Sequence, residues 1–196
     1  MIRENIEKIR ENISAACEKY SRSSSDVTLI AVSKTMPVEI VQEAYDCGIR
    51  DFGENKVQEL VSKAEELKPF KHESHFIGHL QSNKIKDVLK YADCVESVDR
   101  LDLAEKLERK LEAENRTLNI FIQVNTSKEI SKFGCKVEEA IPLIEKVSEF
   151  PHLNIKGLMT IGLFSDDVNL TRPCFKELYK IKKEAEGLGC LKVKSL

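Results

Sequence analysis

From residue 27 onward the chain alternates between short apolar runs and longer amphipathic stretches, and this alternation restricts the possible folds more than any other feature. The apolar runs fall at Val27–Ser33, Ile49–Gly53, Ser74–Gly78, Cys94–Val98, Leu118–Asn125, Ile155–Thr160 and Leu191–Leu196. Between them, helical periodicity covers 37–47, 55–67, 82–90, 100–114, 136–149 and 170–187. Strands that alternate with helices pair in parallel through right-handed crossovers. Pro37 suits a first helical position, Asn55 with Gln58 suits an N-cap and its capping-box partner, and Gly48 and Gly189 follow helical segments where C-terminal glycines belong. Ahead of this region, Ile2, Ile6, Ile9, Ile13, Cys17 and Tyr20 form one apolar stripe on a leading helix over 1–20, closed by the loop Ser21–Asp26.

Seven βα-type strands exceed what a doubly wound sheet usually needs, and no Gly-x-Gly-x-x-Gly follows the first strand. A (β/α)8 TIM barrel fits better, although it wants eight strands and usually at least about 200 residues. The 196 residues suit one domain, with βα units over 27–196, and reach Leu196 inside the seventh strand. The barrel is therefore expected to be incomplete, without its eighth strand and the end of its seventh.

Bulk properties exclude several function classes. With 31 basic and 33 acidic side chains the net charge is -2, and the lysines are scattered, so nucleic acid is not an expected partner. No run approaches 18 consecutive apolar residues, and none is expected to span a membrane. The six cysteines lie far apart without a Cys-x-x-Cys pair, and the first residues lack the apolar core of a secretory signal. A cytoplasmic protein with reduced thiols, mostly in the core, is expected. His72, His75 and His79 lack a His-Glu-x-x-His arrangement, and no metal is expected.

Chemistry in such barrels sits at the C-terminal ends of the strands. Those ends carry Ser33-Lys34-Thr35, Gly53-Glu54-Asn55, Gly78-His79, Ser97-Val98-Asp99, Gln123-Val124-Asn125 and Met159-Thr160-Ile161-Gly162. The run Leu29–Val32 reads as a strand buried on both faces, and it ends in Lys34. That lysine is either a solvated strand end whose stem snorkels or a Schiff-base nucleophile among apolar walls and neutral amides. Asn55 is either a helix cap or a site residue, and the two roles are compatible. Asp99, ahead of Asp102, reads as an acid at a helix N-terminus.

Six blocks, in order, carry a resemblance. They are "AVSKT" at Ala31–Thr35, "DFGENKVQE" at Asp51–Glu59, "HFIGHLQSNK" at His75–Lys84, "VESVD" at Val95–Asp99, "IQVNTSKEISKFG" at Ile122–Gly134 and "GLMTIG" at Gly157–Gly162. Together they resemble the pyridoxal 5'-phosphate (PLP) homeostasis proteins, single-domain relatives of the alanine racemase barrel. The resemblance implies a TIM barrel of the alanine-racemase type, the third fold type of PLP proteins, with PLP as cofactor.

By this resemblance Lys34 forms the internal aldimine with PLP, Asn55 lines the cofactor pocket, and Met159 and Thr160 lie beside the pyridine ring. Arg172 opens the family's Arg-x-x-Phe element, while Asn83 and Lys84 belong to a loop near the mouth. His79 stands where the family more often has proline. The family also continues into a Ser-Met-Gly-Met-Ser loop and a Val-Arg-Ile-Gly strand, which supply its phosphate site and the arginine facing the pyridine nitrogen.

The implied function is a carrier that holds PLP and serves vitamin B6 and amino-acid homeostasis, with apo-enzymes as acceptors, rather than a catalyst. Two alternatives are a racemase-like PLP enzyme and a shortened chain with weakened PLP binding. A racemase needs acid/base groups on both faces of its substrate. Tyr20, Tyr45, Tyr91 and Tyr179 all fall in predicted helices or their ends, away from the strand-end mouth, which favours the carrier. Open strand edges predict low solubility or dimerisation for this chain, against a monomer or weak dimer for the family.

Overall fold

In a computed structural model, residues 1–191 are described. The leading helix α1 spans Ile2–Lys19, followed by β1 (Ile30–Val32), α2 (Val38–Asp46), β2 (Asp51–Glu54), α3 (Val57–Leu67) and β3 (Glu73–Phe76). Then come α4 (Ile85–Tyr91), β4 (Cys94–Val98), α5 (Leu101–Glu114), β5 (Leu118–Gln123), α6 (Val137–Ser148), β6 (Leu153–Met159) and α7 (Val168–Gly187). Every expected element over these residues is present. The seventh strand expected at Leu191–Leu196 lies, apart from Leu191, outside the described residues.

The strands form one parallel sheet in the order β1-β2-β3-β4-β5-β6. Each strand pairs with the next in sequence, so the sheet always advances to the same side. A doubly wound fold reverses its strand order at a switch point, and that reversal is absent among the described strands. Six strands advancing one way are an incomplete (β/α)8 barrel that does not close among the described residues, with β1 and β6 the outermost described strands.

Strand residues alternate between two different environments. Phe76, Val95, Ile120 and Ile122 point toward the helices and join Leu103, Leu107, Leu111 and Ile144 in the main apolar core. Burying each of these side chains stabilises the fold by about 1.5–3 kcal/mol, so most of the stability lies between the sheet and its helices. Asp51, Glu73, His75, Cys94, Glu96 and Asn119 line the opposite, concave face. A smaller core of Ile6, Val41, Ala44, Ile49, Phe52 and Leu67 seats α1 and α2. There Arg10 of α1 donates to the Cys47 and Gly48 carbonyls, each at 3.2 Å, which satisfies the C-terminal end of α2.

Three local expectations are corrected. β1 is not buried on both faces, because as an edge strand of an open sheet it leaves Val32 48% exposed. The leading helix buries Ile6 and Cys17, whereas Ile9 in the middle of its stripe and Tyr20 at its end face solvent. Asn55 is not the cap of α3. Lys56 occupies that position without a side-chain cap bond, and the helix begins one residue later at Val57.

Close backbone approach explains one glycine at a strand end. A Cβ at Gly78 would collide with the carbonyl oxygen of Asn55. The chain after β3 therefore lies directly against the end of β2. Gly78→Ala is expected to cost about 3 kcal/mol of stability, at the upper end of overpacking effects, read as a lowered urea midpoint with an unchanged m-value. A midpoint equal to that of the native chain would show that the two segments do not lie this close.

Candidate functional site

All six strands are parallel, so their C-terminal ends converge on one rim. Lys34 sits just beyond β1, exposed, in a turn. Val32 pairs with Gly53, and the Ser33 amide donates to the Gly53 carbonyl at 3.0 Å. Lys34 and Asn55, each two residues past that last pair, therefore emerge side by side at adjacent strand ends. Among the described residues the Lys34 ammonium has no ion pair or hydrogen bond. The amide oxygen of Asn55 is buried without a partner. An unpaired primary amine and an orphaned acceptor at adjacent strand ends are groups that a polar ligand could satisfy.

Met159 closes β6 and Thr160 follows it. Both are half-buried, and both line a cavity of about 590 Å3 on the concave face. Its volume lies within the range of about 300–1,000 Å3 usual for small-molecule sites. Thr160 shares a 2.8 Å hydroxyl–hydroxyl hydrogen bond with Thr126, which ties the β5 and β6 rims together. Arg172 is exposed in the first turns of α7 and does not line this cavity, but Phe175 of the same Arg-x-x-Phe element does. Asn55 lines a separate hollow of about 160 Å3 with His79, Gln81 and Lys84. The structure thus brings Met159 together with Thr160, places Lys34 and Asn55 at adjacent strand ends outside that cavity, and leaves Arg172 apart.

Three strand-end residues make rim contacts that the sequence did not reveal. His79 stacks on Phe133 from the loop after β5, with ring centroids 4.1 Å apart, and its Nδ1 lies 3.6 Å from the Asp99 carboxylate. Asp99 is no helix-starting acid, because it spends its other oxygen on Arg100 at 2.6 Å, while Asp102 occupies the first turn of α5. Asn125 organises the β5 loop. Its side chain donates to the Glu129 and Lys132 carbonyls and accepts from the Lys128 amide and the Ser127 hydroxyl.

The three histidines lie in three places. His72 bonds the Phe70 carbonyl and the Ser74 hydroxyl, His79 lies on the rim, and His75 sits deep on the concave face. Nδ1 of His75 is 2.7 Å from Glu96 and Nε2 is 3.3 Å from Asp51. Burial alone would pull its pKa down, but hydrogen bonds and charge attraction from Glu96 and then Asp51 outweigh this and leave it above 6.5. Donor atoms of His75, Cys94 and Glu96 lie within 4.8 Å of one another. Both His75 nitrogens are taken by carboxylates, and burial followed by repulsion from Glu96 pushes the Cys94 thiol well up. The two carboxylates thus favour a protonated His75 between them, and the raised thiol pKa disfavours the Cys94 thiolate beside it. Its sequence trace is the period-two spacing of Glu73 with His75 and of Cys94 with Glu96.

Residues 5–195 match the family model described as alanine racemase, N-terminal domain. A pyridoxal phosphate homeostasis protein of Vibrio alginolyticus is 41% identical over 190 residues, covering 95% of this chain and 82% of that protein. One from Aquifex aeolicus is 35% identical over 183 residues, covering 93% and 80%. This chain belongs to the pyridoxal phosphate homeostasis protein family. Among solved structures, PipY of Synechococcus elongatus PCC7942 with PLP bound superposes with a TM-score of 0.84 at 29% identity, covering 98% of this chain and 86% of that one. The family-model match covers most of the leading helix and all six described strands, so the rim described above belongs to the family's fold.

A histidine with a raised pKa stabilises the fold fully below its unfolded value, and that stabilisation is lost as pH rises through the folded value. Thermal stability is accordingly expected to fall as pH climbs above 6.5. His75→Gln, which cannot titrate, should flatten the curve in that window. An unchanged slope in the variant would assign the pH dependence elsewhere.

Proposed function

We propose that this chain binds PLP at the strand-end rim, holds it through Lys34, and serves PLP homeostasis as a carrier. The observation that carries this reading is the amine of Lys34, unpaired among the described residues, at the strand end next to that of Asn55, in a chain whose relatives are named for PLP homeostasis. When bound, PLP supplies an aldehyde that condenses with a primary amine and releases water, a link that other amines can exchange. Lys34 provides that amine. Asn55 offers an acceptor to a polar group on the ligand, and Met159 and Thr160 border the concave cavity at the β6 side of the rim. Arg172 brings a cation to the β6 side of the rim.

A carrier needs the amine and an open approach to it, and Lys34 has both. A racemase needs a second acid/base group opposite the lysine. Tyr20 ends α1, Tyr45 is in α2, Tyr91 ends α4 and Tyr179 is in α7, so no tyrosine stands at the rim among the described residues. Release to apo-enzymes is the corresponding role, with the protein acting as a monomer or weak dimer. Six free thiols, four of them buried, suit a reducing compartment such as the cytoplasm. No helix among the described residues is long and apolar enough to cross a membrane.

Titration with PLP, followed by visible absorbance, tests the reading. The native chain should develop a band that borohydride bleaches irreversibly, and Lys34→Ala should lose it with an unchanged melting temperature. Asn55→Ala should weaken half-saturation by a factor of about 5–10, the loss of one hydrogen bond worth on the order of 1 kcal/mol. A band of equal strength in Lys34→Ala would overturn the assignment.

A further inference from the structure

We propose that Lys63, Glu54 and Glu59 form a clamp whose task is to set the turn that presents Lys34, making them positioning residues for PLP capture. This inference rests on the reading of Lys34 as the PLP amine. It goes further in naming three residues, none of them among the proposed PLP-contacting residues, that decide whether this amine is held in place.

The clamp grips both neighbours of Lys34. Ser33 faces the helix layer and is 5% exposed. Its hydroxyl donates to Glu54 Oε1 at 2.8 Å, and its carbonyl accepts from Lys63 Nζ at 2.7 Å. Lys63 also reaches the same Glu54 oxygen at 2.7 Å, and both of these charged side chains are buried. On the other side, the Thr35 amide donates to Glu59 Oε2, an oxygen that also lies 3.8 Å from Lys63. The Thr35 bond, then the Lys63 and Lys56 charges, hold the Glu59 carboxyl below its ordinary range despite some desolvation. One lysine and two glutamates, from β2 and α3, thus fix the residues before and after Lys34 while leaving Lys34 untouched.

The turn needs such a hold. Thr35 has φ 63, in the left-handed region that β-branched residues rarely enter. Backbone of this kind persists only where its surroundings over-determine it, and it concentrates at functional positions. A lysine at an exposed strand end has no structural need of a strained, triply anchored turn. An amine that must meet an aldehyde at a fixed site does, because small misplacements of a reacting group cost about a hundredfold. The charges are also placed for this task. A buried lysine and glutamate could be replaced by apolar side chains at little cost to stability, but no apolar side chain could hold the Ser33 carbonyl and the Thr35 amide.

Two variants and a control test the clamp in the full chain. Glu59→Ala removes the half-exposed end of the network, and Lys63→Met with Glu54→Gln removes the buried pair together, so that neither charge is stranded. Lys68→Met at the C-terminal cap of the same helix breaks only a surface pair with Glu65. Both clamp variants should raise PLP half-saturation about tenfold or more and slow borohydride fixation on Lys34, in line with misplacement of a reacting amine. Hydrogen exchange at the Thr35 amide should speed up, and Lys68→Met should behave as native. Folded clamp variants with native half-saturation would overturn the proposal. If the double variant fails to fold, Glu59→Ala alone decides. A native chain without any Lys34-dependent band would instead sink the PLP reading, and the clamp's role with it. That result differs from failure of the clamp alone, in which native chain and variants bind PLP equally.

Discussion

Parallel hydrogen bonding between consecutive strands, advancing always in one direction, is the constraint on which the rest of this structure depends. It sends every crossover helix to the same face, so the apolar core builds on one side of the sheet only. It also brings six strand ends to one rim. Lys34 and Asn55, 21 positions apart in the chain, become neighbours because Val32 and Gly53 share a rung of that ladder. Function at this rim therefore follows from pairing geometry before any individual side chain is considered.

The opposite face shows what an unclosed sheet does with its second side. Strand residues facing the helices are mostly apolar and buried, whereas the concave side sets acids, a histidine, a cysteine and an asparagine beside Ile30, Phe121 and Leu158 around about 590 Å3 of space. Burying such groups is costly unless they are paired. His75 resolves the cost by bridging Glu96 and Asp51 with both ring nitrogens. The polar interior and the strained rim turn are built from the same strands, one from the residues pointing inward and one from those pointing toward α3.

Periodicity made much of this legible in advance. Apolar runs and 3.6-residue stripes located every strand and helix of the described residues, and β4 matched at both ends. The boundaries and burial of β1 did not follow, because its apolar run gives no sign that the strand is an edge with Val32 exposed. Asn55 misled for a local reason. Asparagine before a helical stretch is the usual mark of a cap, but the close pass of Gly78 fixes the Asn55 backbone and leaves its side-chain oxygen buried and unpaired. The anchor of Lys34 was illegible for a different reason. Lys63 looks like any solvated helix lysine until the helix is docked, and only then does its ammonium meet a carbonyl 30 positions earlier in the chain.

The central claim is that a single lysine, Lys34, is the covalent seat of PLP. The most direct measurement is to load the chain with PLP, reduce with borohydride, digest, and locate the pyridoxyl group by peptide mass spectrometry. Modification confined to the peptide containing Lys34, at close to one group per chain, is the predicted result. Label spread over exposed lysines such as Lys56, Lys128 and Lys180, with no excess at Lys34, would contradict it.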